Sequence, residues 1–175
     1  RSVAARDYQE VINYSFVESG LDAQLGLAPE GSSAIRLLNP IAAQMDRMRT
    51  TLWGGLVETL RANLNRRATR VRLFEAGRVF FADPSVQPGP LAVNGIRQPE
   101  MLAGLAYGPA ADEQWGLPTR AVDFFDVKAD LEALSGSREL RCERAVHPAL
   151  HPGRSARLLL DGRPVGWLGA LHPAV

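Results

Sequence analysis

The sequence predicts an α+β fold, an antiparallel sheet flanked by helices. Three observations carry this reading. Apolar residues alternate with a period of two in several segments, most clearly in Val71–Phe81. Asp161-Gly162, set between two such segments, is a hairpin turn signal. Helical spacing runs through only two longer stretches, Thr50–Arg66 and Val122–Leu134, so helices do not alternate with strands as a parallel sheet requires.

The elements follow in order. Glu10–Val17 alternates, with Ile12, Tyr14 and Phe16 on one side, and predicts a strand that buries that side. Asp22–Leu27 is long enough for one helical turn, stopped by Pro29 and Gly31. Ser33–Leu38 is a short second strand, and Asn39-Pro40 a turn, because the residue before proline avoids the helical region. Thr50 or Thr51 caps the first long helix. Leu52, Leu56, Leu60 and Leu64 recur every four residues along it, and Trp53 and Val57 widen the stripe. Gly54-Gly55 costs on the order of 1 kcal/mol per residue against alanine, which suits a close neighbour there.

Val71–Phe81 places Leu73, Glu75, Gly77, Val79 and Phe81 on one face and Arg72, Phe74, Ala76, Arg78 and Phe80 on the other. Glu75 stands mid-strand among apolar residues, and burying it demands a partner. Arg72 and Arg78 point away from it. Asp83–Glu100 is a turn-rich loop with four prolines and two glycines. Met101–Tyr107 is a strand, and Gly108–Thr119 a loop carrying Trp115. Phe124, Val127, Leu131 and Leu134 form the apolar face of the second helix, with Asp126, Lys128, Asp130 and Glu132 in water and Gly136 at its end. Glu139–Ala145, Arg157–Leu160 and Pro164–Leu168 complete the strands.

Composition narrows the function. At 175 residues, 46% hydrophobic and 22% charged, the chain is globular, suits one domain and needs no staples. A net charge of +1 points to no partner class. Nineteen of the twenty basic residues are Arg, with Lys128 the exception; the skew runs through the whole chain and is not an RNA signature. One cysteine, Cys142, forms no internal disulfide and suits a reducing, cytoplasmic setting. No apolar run approaches the roughly 20 residues that span a bilayer. The polar start at Arg1 and the stop at His172-Pro173-Ala174-Val175 point to a segment cut from a longer polypeptide at both ends.

Familiar reaction chemistry is missing. There is no phosphate loop and no G-x-G-x-x-G pattern. His147 and His151 are four apart, but Pro148 and Pro152 break the helix that would bring them to one metal, so both read as loop histidines making hydrogen bonds. Ser155 near His151 lacks an orienting acid, and Cys142 reads as an inert thiol. Arg61, Arg66, Arg67, Arg70 and Arg72 form the densest basic cluster. A solvated helix end accounts for it through the helix dipole; contact with RNA phosphates is the alternative.

An ordered set of segments then resembles one family: Glu10–Phe16, Leu38-Asn39-Pro40-Ile41, Met48-Arg49-Thr50-Thr51-Leu52, Asn63–Arg66, Leu73–Phe80, Val122–Lys128, Leu150–Ala156 and Gly166–Pro173. Together they resemble the core domain of the β subunit of bacterial phenylalanyl-tRNA synthetase, over almost the whole chain. The resemblance implies a fold like the catalytic domain of class II aminoacyl-tRNA synthetases. It implies that the catalytic α subunit activates phenylalanine with ATP, and that the β core is a silent relative packed against it in an α2β2 heterotetramer that aminoacylates tRNA. It implies no cofactor in this domain, ATP and Mg2+ belonging to the whole enzyme. Class II enzymes hold ATP with an Arg-x-Glu at the end of one strand; laying Gly77-Arg78-Val79-Phe80 on that strand puts Phe81 at the arginine and Asp83 at the glutamate. A phenyl ring lacks the planar fork that grips phosphate.

Three readings follow. The first is a non-catalytic assembly domain, with Leu52, Trp53, Leu56 and Leu60 as candidates for the α-facing surface. The second is a tRNA-binding module using Arg61, Arg66, Arg67 and Arg70. The third is a stand-alone ATP-dependent adenylating enzyme, against which Phe81 argues.

Overall fold

The computed structural model describes residues 2–18, 20, 24–25 and 33–175. The chain clusters into two compact units. One comprises Arg1–Gln9, Asn63–Arg72 and Leu105–Val175, the other Glu10–Ala62 and Leu73–Gly104.

A 3-10 turn at Ala4–Arg6 precedes β1 (Gln9–Glu10), β2 (Phe16–Val17), β3 (Arg47–Met48), α1 (Trp53–Asn65), β4 (Val71–Arg78), β5 (Phe81–Ala82), β6 (Ile96–Arg97), β7 (Glu100–Tyr107), α2 (Phe124–Ser135), β8 (Leu140–Arg144), β9 (Leu150–Leu160) and β10 (Arg163–Leu171). The strands form two three-stranded sheets, ordered β1-β4-β7 and β10-β9-β8, and two pairs, β2-β3 and β5-β6. Both pairs and the β8–β9–β10 sheet are antiparallel. Among the described residues no helix is long and apolar enough to cross a membrane.

In the second unit, Leu52, Val79 and Phe81 form a buried cluster with Ala103 packed against it. Leu73 and Glu75 on one side of β4 are buried, and Val79 and Phe81 continue that side beyond the strand; Phe74, on the other side, is buried too. The strand itself ends at Arg78. Val79 N–H turns to the Pro99 carbonyl and Phe80 N–H to that of Arg49, so the ladder breaks before resuming as β5. The loop after β5 returns as β6, whose Arg97 faces Phe81 and whose Ile96 faces Ala82.

Glu10–Val17 departs from expectation. Only its ends are strand, and the side predicted to be buried is turned out: Ile12 is 92% and Tyr14 71% exposed. The opposite side points inward because Asn13 has a buried carboxylate to bind. Ser33–Leu38 is no strand; Ser33 and Arg36 make single bridges to Ala82 and Arg47. The Asp22–Leu27 turn lies outside the described residues except at Gln24 and Leu25. The first helix starts at Trp53, whose N–H donates to the Thr51 hydroxyl at 3.3 Å, as the capping expectation requires.

In the first unit, α2 lies against β8 and β10. Asp123 caps it through a capping box with Asp126, and Gly136 ends it at φ 61°. Phe124, Val127, Leu131 and Leu134 are the half-buried face, as their spacing predicts. Asp130 is not in water. Arg6 Nε at 2.7 Å, the Tyr8 hydroxyl at 2.8 Å and Arg72 Nη1 at 3.2 Å all donate to it, and the Arg72 guanidinium sits 5.0 Å from the Tyr8 ring centroid. Burial, then the Asp130 bond, raises the Tyr8 pKa well above its ordinary value, so the phenol stays protonated and donating. Asp161 (φ 51°) and Gly162 (φ 76°) both adopt the left-handed conformation a two-residue hairpin needs between β9 and β10.

Two tests follow. Asp123→Ala leaves two amides of α2 without their acceptor and is expected to lower stability by about 1 kcal/mol in urea denaturation. The Arg120 guanidinium holds the Asp126 carboxyl at about 2, below the ordinary aspartate value of 3.8. That contribution is present above 3.8 and is lost as pH falls toward 2, so Asp126→Asn is expected to flatten the acid limb of the stability curve in that window.

Candidate functional site

The most enclosed polar group in the second unit is Glu75, on the inner face of β4. Its partner is Arg49, from the segment just before α1, with Nη1 2.6 Å from Oε1 and both side chains nearly inaccessible. Asn13 completes the set: Nδ2 donates to Oε2 at 2.8 Å and the backbone N–H to Oε1 at 3.4 Å. The Thr59 hydroxyl lies 3.0 Å from Asn13 Oδ1 and 2.8 Å from the Gly55 carbonyl. Arg49 also donates through Nε to the Arg78 carbonyl at 2.9 Å, while its N–H meets the Ser15 carbonyl. One carboxylate thus ties together the 13–15 segment, the turn into α1, α1 itself and β4.

Two glycines make room. A Cβ on Gly77 would stand 2.5 Å from Arg49 Nη2, and one on Gly55 would stand 2.7 Å from Asn13 Cβ. The close neighbour expected at Gly54-Gly55 is therefore Asn13, within the chain. Sequence reasoning placed the need for a partner at Glu75 but missed Arg49 and Asn13, which lie 26 and 62 residues away in the chain. The signal was present in Met48-Arg49-Thr50, a lone cation beside an apolar helix start.

The resemblance set Phe81 and Asp83 against the ATP-holding pair of class II enzymes; both lie where β5 leads into its loop. Phe81 is 5% exposed and belongs to the apolar cluster. The nearby cation, Arg97, lies with its guanidinium 5.3 Å from the Phe81 ring centroid and its Nε 3.8 Å from Asp83. Asp83 in turn accepts from the Ser85 hydroxyl at 2.6 Å and N–H at 3.1 Å, which hold its carboxyl below the ordinary pKa. The ring is buried, and Arg97, the cation beside it, faces a carboxylate of its own chain.

The other candidates separate. Leu52 and Leu56 are buried at 2% and 0%, so these two leucines pack on the chain itself, while Trp53 and Leu60 keep part of their surface. Among the arginines, Arg61, Arg66 and Arg67 are exposed. Arg70 is held by Asp7, Asp112 and the Pro109 carbonyl. His147 and His151 each accept a nearby backbone N–H, Ser155 donates to the Ala145 carbonyl at 2.6 Å, and burial raises the Cys142 thiol pKa. Among the described residues, no three His, Cys, Asp or Glu come together to hold a metal ion.

The ion pair is testable. Arg49→Met leaves a buried carboxylate without its cation and is expected to cost about 3–5 kcal/mol. Adding Glu75→Leu is expected to recover part of that loss, which a double-mutant cycle by denaturation measures. Gly77→Ala is expected to destabilise as well, by displacing the guanidinium.

A family model described as the phenylalanyl tRNA synthetase beta chain CLM domain matches residues 1–175. The chain is 58% identical over 172 residues to the phenylalanine–tRNA ligase beta subunit of Burkholderia pseudomallei and equally to that of Ralstonia nicotianae; each match covers 98% of this chain and 21% of the relative. The Bordetella parapertussis beta subunit is 57% identical over 175 residues, covering 99% of this chain and 21% of the relative. The chain therefore spans about a fifth of the length of these relatives. Among solved structures, the pyrrolysyl-tRNA synthetase PylSc of Desulfitobacterium hafniense aligns with 93% of this chain and 50% of its own, at a TM-score of 0.55 and 14% identity. The shared feature is the fold, which is class II aminoacyl-tRNA synthetase-like.

Proposed function

The chain belongs to the phenylalanyl tRNA synthetase beta chain CLM-domain family, and from that premise we propose that it is a non-catalytic core domain supporting assembly of phenylalanine–tRNA ligase. In this reading the α subunit activates phenylalanine with ATP and Mg2+, and the present domain is a docking body in a cytoplasmic α2β2 enzyme that charges tRNA. The observation that carries it is Phe81, buried in the core at the position where a class II enzyme needs an exposed arginine. Binding energy at a phosphoryl site comes from preorganised cations facing the ligand, and here Arg97 faces Asp83. Partly exposed Trp53 and Leu60 are the proposed α-facing positions on α1, since Leu52 and Leu56 have almost no surface to offer.

A tRNA contact is the second reading, supported by Arg66 and Arg67, which are exposed at the end of α1 and have no carboxylate partner among the described residues. Arg70 fits it poorly because two carboxylates hold it.

The chain is expected to co-purify with an α subunit and to show no ATP–pyrophosphate exchange by itself. Leu60→Asp is expected to weaken the association at least about tenfold, a loss of about 1.4 kcal/mol. Exchange by the isolated chain would overturn the non-catalytic reading; association unmoved by Leu60→Asp and Trp53→Ala would overturn the placing of the surface. The RNA reading predicts tRNA affinity that falls steeply with salt and drops in the Arg66→Ala/Arg67→Ala variant.

A further inference from the structure

All three histidines precede a proline, as His147-Pro148, His151-Pro152 and His172-Pro173. Their rings make the same contact. Each Nδ1 accepts the backbone N–H two residues on, from Ala149, Gly153 and Ala174, each at 3.1 Å. An imidazole nitrogen here takes the part that an Asn or Asp oxygen plays in an Asx turn. Nδ1 can accept only while the ring is neutral with its proton on Nε2, because the imidazolium has two donors and no acceptor.

His147 is set apart by its surroundings. It is 3% exposed, whereas His151 and His172 are half-buried. Its ring meets Trp167 of β10 edge to face, with centroids 4.9 Å apart. Two backbone bonds converge on this turn: Leu150 N–H donates to the His147 carbonyl and His172 N–H to the Ala149 carbonyl. Residues 147–150 thus join the start of β9 to the end of β10. Among the described residues, charged groups on this side of the sheet include Arg157, whose guanidinium lies 5.7 Å from the Trp167 ring centroid, and Glu143, its neighbour across β8 and β9. The Ser155 hydroxyl is engaged by the Ala145 carbonyl. Burial holds the His147 imidazole pKa below its ordinary value.

We propose that His147 is a proton-operated latch on the β9–β10 hairpin: neutral, it holds the Ala149 amide and closes the 147–150 turn against Trp167; protonated, it releases that amide and the turn opens. The sign follows from the geometry. The closed turn binds one proton fewer than the open one, so it is favoured at neutral pH and weakens as pH falls below the ordinary histidine range.

The test is native-state hydrogen exchange at Ala149 and Leu150 between about pH 8 and pH 5, the window of histidine titration. In parallel, Trp167 fluorescence is read in a Trp53→Phe/Trp115→Phe background. Protection of both amides, corrected for intrinsic exchange, is expected to fall about tenfold per pH unit once the closed form must exclude a proton. Trp167 emission is expected to change over the same range. In His147→Asn, whose side-chain oxygen can accept the same N–H without titrating, both signals are expected to stay flat. A flat wild-type profile, or a step that persists in His147→Asn, overturns the proposal. Should that variant not fold, NMR titration of the three rings decides: the Trp167 step must follow His147, and a step that follows His151 or His172 overturns it.

Discussion

The contact between Glu75 and Arg49 constrains the second unit more than any other. A carboxylate at mid-strand and a guanidinium at the mouth of a helix are both withdrawn from water, and each is tolerable only because the other is there. The pair does not stand alone. The Asn13 amide donates to the second carboxylate oxygen and its backbone N–H to the first, and the Arg49 Nε–H donates to the Arg78 carbonyl. Such a network is worth keeping only when every member is satisfied, which explains the two close-packed glycines around it. The price of this arrangement appears on the other side of the 10–17 segment, where Ile12 and Tyr14 are left facing solvent.

That exchange shows what could be read from the sequence. Local pattern governs where one face is uniformly apolar. The leucine stripe of α1 and the half-buried face of α2 were legible for that reason, and the Asp161-Gly162 hairpin was legible from its turn residues. Pattern fails where a distant charge decides which face turns in. Alternation in residues 10–17 admits two faces, and the apolar one looks like the better choice until Glu75 requires an amide donor. Asp130 misleads in the same way: it sits on the polar side of α2, yet Arg6, Tyr8 and Arg72, each 58 or more residues away, enclose it. Pairings over such separations leave no trace in a period.

The candidate site was legible in part. That an apolar ring stands at position 81, two residues before Asp83, could be read from residue order alone. What surrounds the ring could not. Arg97 is an unremarkable cation in a turn-rich loop until β6 pairs with β5 and sets it directly opposite Phe81. The leucines that looked available to a partner could be assigned to the core only once Leu52 was seen packed with Val79 and Phe81.

That packing links the two ends of the argument. A cation that grips a phosphate must keep its charge exposed and uncompensated until the ligand arrives, which costs stability in the empty protein. In this chain the position carries a phenyl ring, which helps fill the core under α1, and the neighbouring guanidinium is matched by Asp83, itself held by Ser85. The hairpin end is therefore complete without a ligand. An arginine at position 81 would bury its charge beside Leu52 and Val79 with Arg97 close by, so the packing of the core selects an apolar side chain there.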